Sequence, residues 1–506
     1  VSDTSLPRLS HAALTAPAAG VIAPTPEQLA LPEKAVQFGT GAFLRGFVDA
    51  FIDTANAQGQ FNGRVVAIGS TGSGRDRAFA DQDGLYTLVA RGVVAGRARE
   101  EVRVVSAVSR ALSAVDEWDA VLACARNPQL THVFSNTTEV GIRLDESDTA
   151  DLTPPRSFPG KLTRFLYERA RTFAFAPSKG VMVVPCELIE DNGRVLRDLV
   201  LQLADRWGYE PGFARWIETA VPFVNTLVDR IVPGAPDDAE QLALDERLGY
   251  HDALLTTAEH FRLFVVEGDD AVRAQLGLAD ADPAVLVTPD IAPYRQRKVT
   301  LLNGAHTISA SIALLAGCAT VRDAMTHPQV GAFIRRVLLE EILPAVDAPD
   351  ADAFAQAVLD RFENPHIRHA LADITLHGTT KLRVRIIPTL IRAAQRHGRV
   401  PDALVLGFAA HLAYRRPERL AAREREGLTV KPDDAGARIT ALWDGVPPTV
   451  PALTRFVAAV AADTTLWDVD LGAIPGFVDS VAQQLAVLEG AGPAAALDAL
   501  LAVSAR

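Results

Sequence analysis

The segment Lys298-Val-Thr-Leu-Leu-Asn303-Gly-Ala-His306 places an amine, a carboxamide and an imidazole within nine residues. On an α-helix, at about 100° per residue, Lys298, His306 and Asn303 fall at roughly 0°, 80° and 140°, on one side of the cylinder. Leu301, at about 300°, takes another face. A carbonyl that accepts hydride becomes an alkoxide, which needs a proton donor and hydrogen-bond donors aimed at the growing charge. Lys298 suits the first task, and Asn303 with His306 the second; no metal is required. The plainer alternative is a helix start carrying a chance polar trio. Against it stands composition: the chain has six lysines and 44 arginines. Arginine keeps its proton, whereas a buried lysine exchanges one, so each retained lysine poses a chemical question.

A second group is Gly39-Thr40-Gly41, between the apolar run AVQF (35–38) and a helical run predicted to continue to about Thr54. Glycines there allow a tight turn and a close approach of backbone N–H groups to a pyrophosphate. The third glycine of G-x-G-x-x-G is Leu44, so these residues alone leave open a dinucleotide cradle and a plain strand-to-helix turn. Arg45, one turn on, reaches phosphate or lies solvated. The next strand ends near Gly69, where an acid would bind an adenosine ribose and an Arg would suit a 2′-phosphate. Ser70, Thr71, Gly72, Ser73, Gly74 and Arg75 stand there instead, and this leans slightly towards NADP. Lys381, Arg383 and Arg385 form a basic run that either holds an anionic substrate or faces solvent. His366, His369 and His377 have a metal-like spacing without a cysteine partner, and are read as surface or core histidines.

These groups need a scaffold. Strands at 35–38, 64–69, 131–136 and 180–185 alternate with helices near 115–126, 159–173 and 193–207, the rhythm of a parallel sheet with crossover helices. Segments 85–94 and 101–108 read as an antiparallel excursion, and 261–268 with 284–288 as further strands. From Tyr294 onward nearly every segment has helical periodicity. The expected architecture is an N-terminal extension (1–34), a Rossmann-like α/β domain with a mostly parallel sheet (35–289) and a mainly α-helical domain (290–506). A cleft between unlike domains is a favoured ligand site. The net charge of −12 over 506 residues argues against a nucleic-acid partner. Three scattered cysteines indicate no disulfide framework. No apolar run is long enough for a signal peptide or a membrane span, so a soluble, cytoplasmic protein is expected.

Together the stretches QFGTGAFLRGFVDAFID (37–53), QDGLYTLVARG (82–92), NPQLTHVFSNTTEVGI (127–142), VVPCELIEDNG (183–193), TLVDRIVPG (226–234), RKVTLLNGAHT (297–307), ENPHIRHALADITLHGTTKLRVRIIP (363–388) and KPDD (431–434) resemble the polyol-specific long-chain dehydrogenases, the group that includes mannitol 2-dehydrogenase and fructuronate reductase. The resemblance covers most of the chain and is closest to the branch that reversibly reduces D-tagaturonate to D-altronate with NADH, without a metal. Fructuronate or mannitol-type reduction is the alternative. A silent nucleotide-binding regulator is disfavoured by the complete Lys-Asn-His set.

The resemblance implies Lys298 as catalytic acid/base, with Asn303 and His306 at the substrate oxygen. It implies Asp229 as an active-site aspartate and Lys381 as a substrate-binding lysine. It implies Phe38, Gly39, Gly41, Ala42, Phe43, Arg45, Ser70, Asn136, Thr138 and Glu139 around the cofactor. Two departures from the mannitol branch stand out. Cys186-Glu187-Leu188 replaces Cys-Asp-Asn, and Asp373 replaces an Arg eight residues before Lys381. Arg295, Arg383 and Arg385 then become the candidates for anchoring a sugar-acid carboxylate.

Overall fold

The computed structural model describes residues 6–15, 17–70, 74–137 and 141–503. The chain forms two compact units: Val1–Arg91 with Ala98–Ile291, and Gly92–Arg97 with Ala292–Arg506.

The first unit is built on five parallel strands, β1 (Glu33–Phe38), β2 (Arg64–Gly69), β3 (Val108–Ser113), β4 (His132–Ser135) and β5 (Met182–Pro185), in the order β3-β2-β1-β4-β5. The side-chain period of two sorts these strands into two cores. Ala35, Val65, Ala67, Phe134 and Val184 face one cluster with Phe47 and Phe51. Val36, Phe38, Val66, Ile68 and Val183 face the other with Leu162 and Phe165. Both faces are covered, which is why these strands read as continuous apolar runs. A three-stranded sheet (Val285–Thr288, Leu263–Glu267, Thr226–Asp229) and a four-stranded one (Val21–Ile22, Arg97–Val105, Tyr86–Val94, Thr256–Glu259) complete the strands among the described residues.

Two expectations are corrected. The helix after the glycine turn is not continuous: α1 (Ala42–Gly46) and α2 (Val48–Ala57) are separated at Phe47, whose φ of −132° and ψ of −82° are not helical. At the break, a Cβ on Gly46 would lie 2.7 Å from Val232, and the Phe47 ring stacks on Phe43 at 4.9 Å. The segment 101–108 is not one strand either. Arg64 donates to the carbonyls of Ser106 (3.0 Å) and Val108 (2.6 Å), and Asp53 accepts from the Ser106 amide (2.9 Å) and hydroxyl (3.0 Å). This pair of buried charges fixes a bend that ends one strand at Val105 and starts β3 in the parallel sheet.

Beneath the glycine turn, Asp49 is fully buried. Its Oδ2 lies 3.3 Å from both Gln37 Nε2 and the Tyr86 hydroxyl, while its Oδ1 has no partner. Burial pushes its pKa up to about 7, against opposing hydrogen bonds from Gln37 and Tyr86. A carboxyl whose folded pKa is raised contributes stability that is fully present below its unfolded pKa and lost as pH rises through the folded one. Between pH 5 and 8 the native protein should therefore lose about 2–3 kcal/mol more than the Asp49→Asn variant. Parallel curves of Tm against pH for the two proteins would refute this.

The second unit is almost entirely helical. At its centre Asp402–Tyr414 is buried at every position after Asp402, as expected of a helix apolar on all sides. Ala292–Arg297 leads into a π-helix, Lys298–Gly304, which continues as the α-helix α3 (Ala305–Leu315). Among the described residues no helix is long and apolar enough to cross a membrane.

Candidate active site

At the C-terminal end of β1, Gly39 adopts φ +134°, a backbone state that glycine alone adopts readily. A Cβ there would sit 3.1 Å from the Asn136 carbonyl oxygen and 3.0 Å from Leu44 Cδ1. Leu44 thus packs where the fingerprint has its third glycine. Gly41 caps α1, and nothing lies within 4 Å of where its Cβ would be. The turn opens on a cavity of ≈ 550 Å³ lined by Gly39, Thr40, Gly41, Ser70 and Asn136, together with Arg75, Arg143, Arg156, Lys161 and one acid, Asp145. Asn136 is held by a 2.7 Å bond from Nδ2 to the Cys186 carbonyl.

Arg45 is neither solvated nor on the cavity wall. Its buried guanidinium donates to the Thr40 carbonyl at 2.7 Å and to Thr256 Oγ1 at 3.0 Å. It braces the turn from below. Phe38 likewise turns its ring into the core, 5.3 Å from Phe158, so only its backbone borders the turn. Phe43 stacks on Phe47, and a Cβ on Gly234 would touch Ala42 Cβ at 3.2 Å. Thr138 and Glu139, like Thr71, Gly72 and Ser73, lie outside the described residues. The sequence reading does not single out Arg143, Arg156 and Lys161, the basic side of this cavity. The signal was there in the scarcity of lysine: Lys161 is one of the six.

Beside the turn, Glu187 is buried and accepts from the Ser135 hydroxyl (3.0 Å), the Thr137 amide (2.9 Å) and the Thr137 hydroxyl (3.1 Å). Burial pushes its pKa up in spite of these bonds. Leu188, at the position of the replaced asparagine, is 63% exposed. Asp229 ends its strand opposite Leu263 and is buried in the first unit.

In the second unit Lys298 and Asn303 belong to the π-helix, which corrects the α-helical projection. A π-turn bonds residue i to i+5, so Asn303 comes one turn beyond Lys298 and nearer to its face than an α-helix would place it. Both are half-buried. Isolated π-turns occur often at functional sites, and hydrophobic periodicity alone does not reveal them. His306 follows on α3, its ring 4.0 Å from that of Phe362 and 4.9 Å from that of His369. Burial drives the His306 pKa well below the usual range, and the charges of Arg361, Arg385 and Lys381 push the same way. His306 is therefore a neutral imidazole at neutral pH. His369 is lowered too, again first by burial.

The helix α4 (Gly378–Arg385) carries the basic run. Lys381 Nζ donates to the Ile374 carbonyl at 3.0 Å, and Arg385 Nη1 donates to Thr307 Oγ1 at 3.2 Å. Arg383 is turned away from these and pairs with Asp468 at 3.4 Å. Asp373 pairs with Lys431 of the KPDD segment at 2.8 Å. Arg295 is half-buried on the helix before the π-helix. His377 precedes α4 with φ 50°, and the His366 amide donates to Asn364 Oδ1 at 3.0 Å. Among the described residues no three His, Cys, Asp or Glu side chains are placed to hold a metal ion.

The two halves of the chain match two known domains. The mannitol dehydrogenase Rossmann domain matches residues 33–279, and the mannitol dehydrogenase C-terminal domain matches residues 290–489. The altronate oxidoreductase of Cronobacter sakazakii is 43% identical over 459 residues, 90% of this chain and 94% of its own. That of Yersinia enterocolitica is 42% identical over 474 residues, 92% and 97% of the two chains. Among solved structures, a ternary complex of Pseudomonas fluorescens mannitol 2-dehydrogenase with NAD and D-mannitol covers 98% of this chain and 99% of its own, with a TM-score of 0.67 at 23% identity. A substrate-free D-sorbitol dehydrogenase covers 97% and 100%, with a TM-score of 0.74 at 24% identity; these two likenesses concern the fold. By the two domain matches and by the identity to its relatives along nearly the whole length, the chain belongs to the mannitol dehydrogenase family.

Proposed function

We propose that the protein is an NAD-dependent oxidoreductase that interconverts D-tagaturonate and D-altronate, with the cofactor held by residues 35–289 and the substrate by residues 290–506. The observation that carries the reading is the π-helical juxtaposition of Lys298 and Asn303 followed by a neutral His306. The altronate oxidoreductases that match over nine-tenths of the chain support the substrate.

The residues of the glycine turn fit a dinucleotide. Gly39 has no room for a side chain, Gly41 leaves its side of the turn open, and four cations against one acid line the adjoining cavity. Such a cavity suits a diphosphate, with backbone N–H groups at the turn as donors. When bound, NADH supplies the hydride. Lys298 gives its ammonium proton to the keto oxygen, or takes it back in the oxidising direction. The Asn303 amide and the His306 N–H donate hydrogen bonds to that oxygen as charge gathers on it. Because His306 is neutral, it assists without competing as a proton source. Glu187, held by three hydrogen bonds, fixes the backbone beside Asn136.

The test is NADH oxidation with D-tagaturonate, D-fructuronate and D-fructose in parallel, each repeated with NADPH. D-Tagaturonate should show the highest kcat/KM, by about tenfold or more, since leaving a buried polar group of the site unpaired costs about 1–3 kcal/mol. A faster reaction with D-fructuronate or D-fructose would reassign the substrate. Ser70 and Arg75 at the cavity wall oppose no 2′-phosphate, so NADPH should be accepted at a measurable fraction of the NADH rate.

A further inference from the structure

We infer that Arg385 binds the substrate's carboxylate and thereby makes the enzyme prefer keto-acids to neutral ketoses; this rests on the sugar-acid reading above. Arg385 is the last residue of α4. Gly304, next to Asn303, brings this helix end close: a Cβ on Gly304 would lie 3.6 Å from the Arg385 carbonyl oxygen and 3.4 Å from Ile386 Cδ1. From that position the guanidinium donates to Thr307 Oγ1 at 3.2 Å, and the Thr307 hydroxyl donates to the Asn303 carbonyl at 2.7 Å. The charge is therefore tied by one intervening hydroxyl to the backbone of the oxygen-binding amide.

The rest of the fork is uncommitted to a counter-charge. Arg385 is half-buried, and among the described residues no carboxylate pairs with it. Its neighbours differ. Arg383 has Asp468, Lys431 has Asp373, and Arg415 has Asp433 at 3.9 Å. Lys381, one turn earlier on the same face, adds a second half-buried cation whose hydrogen bond goes to a carbonyl, not to an acid. The adjacent His306 and His369 contribute no charge at neutral pH. A partly desolvated guanidinium without an anion is costly, and its planar fork pairs with carboxylate through two parallel N–H···O bonds. A ligand carboxylate supplies that anion. Arg383, two residues away, points about 200° around the helix from Arg385 and cannot share the task.

The experiment compares D-tagaturonate with D-tagatose, which has a hydroxymethyl group in place of the carboxylate. Both are assayed with the full chain and NADH for the wild type, Arg385→Met, Arg385→Lys and Arg383→Met. The ratio of the two kcat/KM values should fall about 100-fold in Arg385→Met, chiefly through KM for the keto-acid, and about tenfold in Arg385→Lys, which keeps the charge without the fork. The rise in Tm that D-altronate gives the wild type should shrink in both variants, a readout independent of turnover. If Arg385→Met fails to fold, Arg385→Lys carries the test. A ratio within threefold of wild type, or a larger loss in Arg383→Met than in Arg385→Met, overturns the anchor while leaving the altronate reading intact. A wild type inactive on every keto-uronate removes both.

Discussion

Lys298→Ala should lower kcat for keto-acid reduction by at least about 10³-fold while the Kd for NADH stays within about twofold of wild type. The expectation combines two losses. One is general acid catalysis, worth typically 10²–10⁴-fold; the other is the positive charge opposite the growing alkoxide. Asn303 and His306 remain, so residual activity reflects their hydrogen bonds alone. Lys298→Arg separates the two losses, because arginine keeps the charge and does not release its proton. If proton transfer dominates, this variant stays nearly as inactive as the alanine one; if the field dominates, it recovers most of the rate. The glycine turn belongs to other elements of the chain, and this is why NADH binding should survive. A Lys298→Ala enzyme retaining a tenth of the wild-type rate would remove Lys298 from the chemistry, whatever its position in the π-helix.

How much of this was legible before the structure varies from residue to residue, for physical reasons. The parallel strands were readable because burial on both faces leaves an unbroken apolar run, as in the segment Val65–Ile68. The helical half was readable from its period. The π-helix was not, since hydrophobic spacing over seven residues does not distinguish 3.6 from a wider turn; an α-helical projection puts Asn303 140° from Lys298, and the wider turn brings it nearer to the lysine's face. Tertiary hydrogen bonds were equally hidden. The bend at Ser106 depends on Arg64 and Asp53, each more than 40 residues away, and no local propensity encodes it. Arg45 shows the same blindness. Helix position predicts where a side chain starts, while the Thr40 carbonyl and Thr256 hydroxyl decide where the guanidinium ends. Arg383 and Arg385 were indistinguishable as sequence and differ only in which acid, if any, the fold brings to them.

Paired substitutions in the glycine turn should give two different failures. At Gly39 a valine meets both a backbone and a packing obstacle: φ of +134° is a conformation its branched side chain does not tolerate, and its Cβ would press on the Asn136 carbonyl at 3.1 Å and Leu44 at 3.0 Å. Such strain costs about 1–3 kcal/mol before any clash is counted. Gly39→Val should therefore lower Tm by several degrees and, by displacing Asn136 and α1, weaken NADH binding about 100-fold or more. Gly41 stands at φ −70° with open space where a side chain would go, so Gly41→Val should cost the fold less than about 1 kcal/mol. Its methyls would instead project into the space assigned to the diphosphate and keep the backbone amides from it, raising the Kd for NADH by a similar factor at nearly unchanged Tm. The pair distinguishes a turn that is merely structural from one that holds a ligand. In the first case Gly41→Val binds NADH as the wild type does; in the second it folds normally and does not bind. Fluorescence titration with NADH beside a thermal melt decides between them, and normal binding by a well-folded Gly41→Val protein would move the cofactor away from this turn.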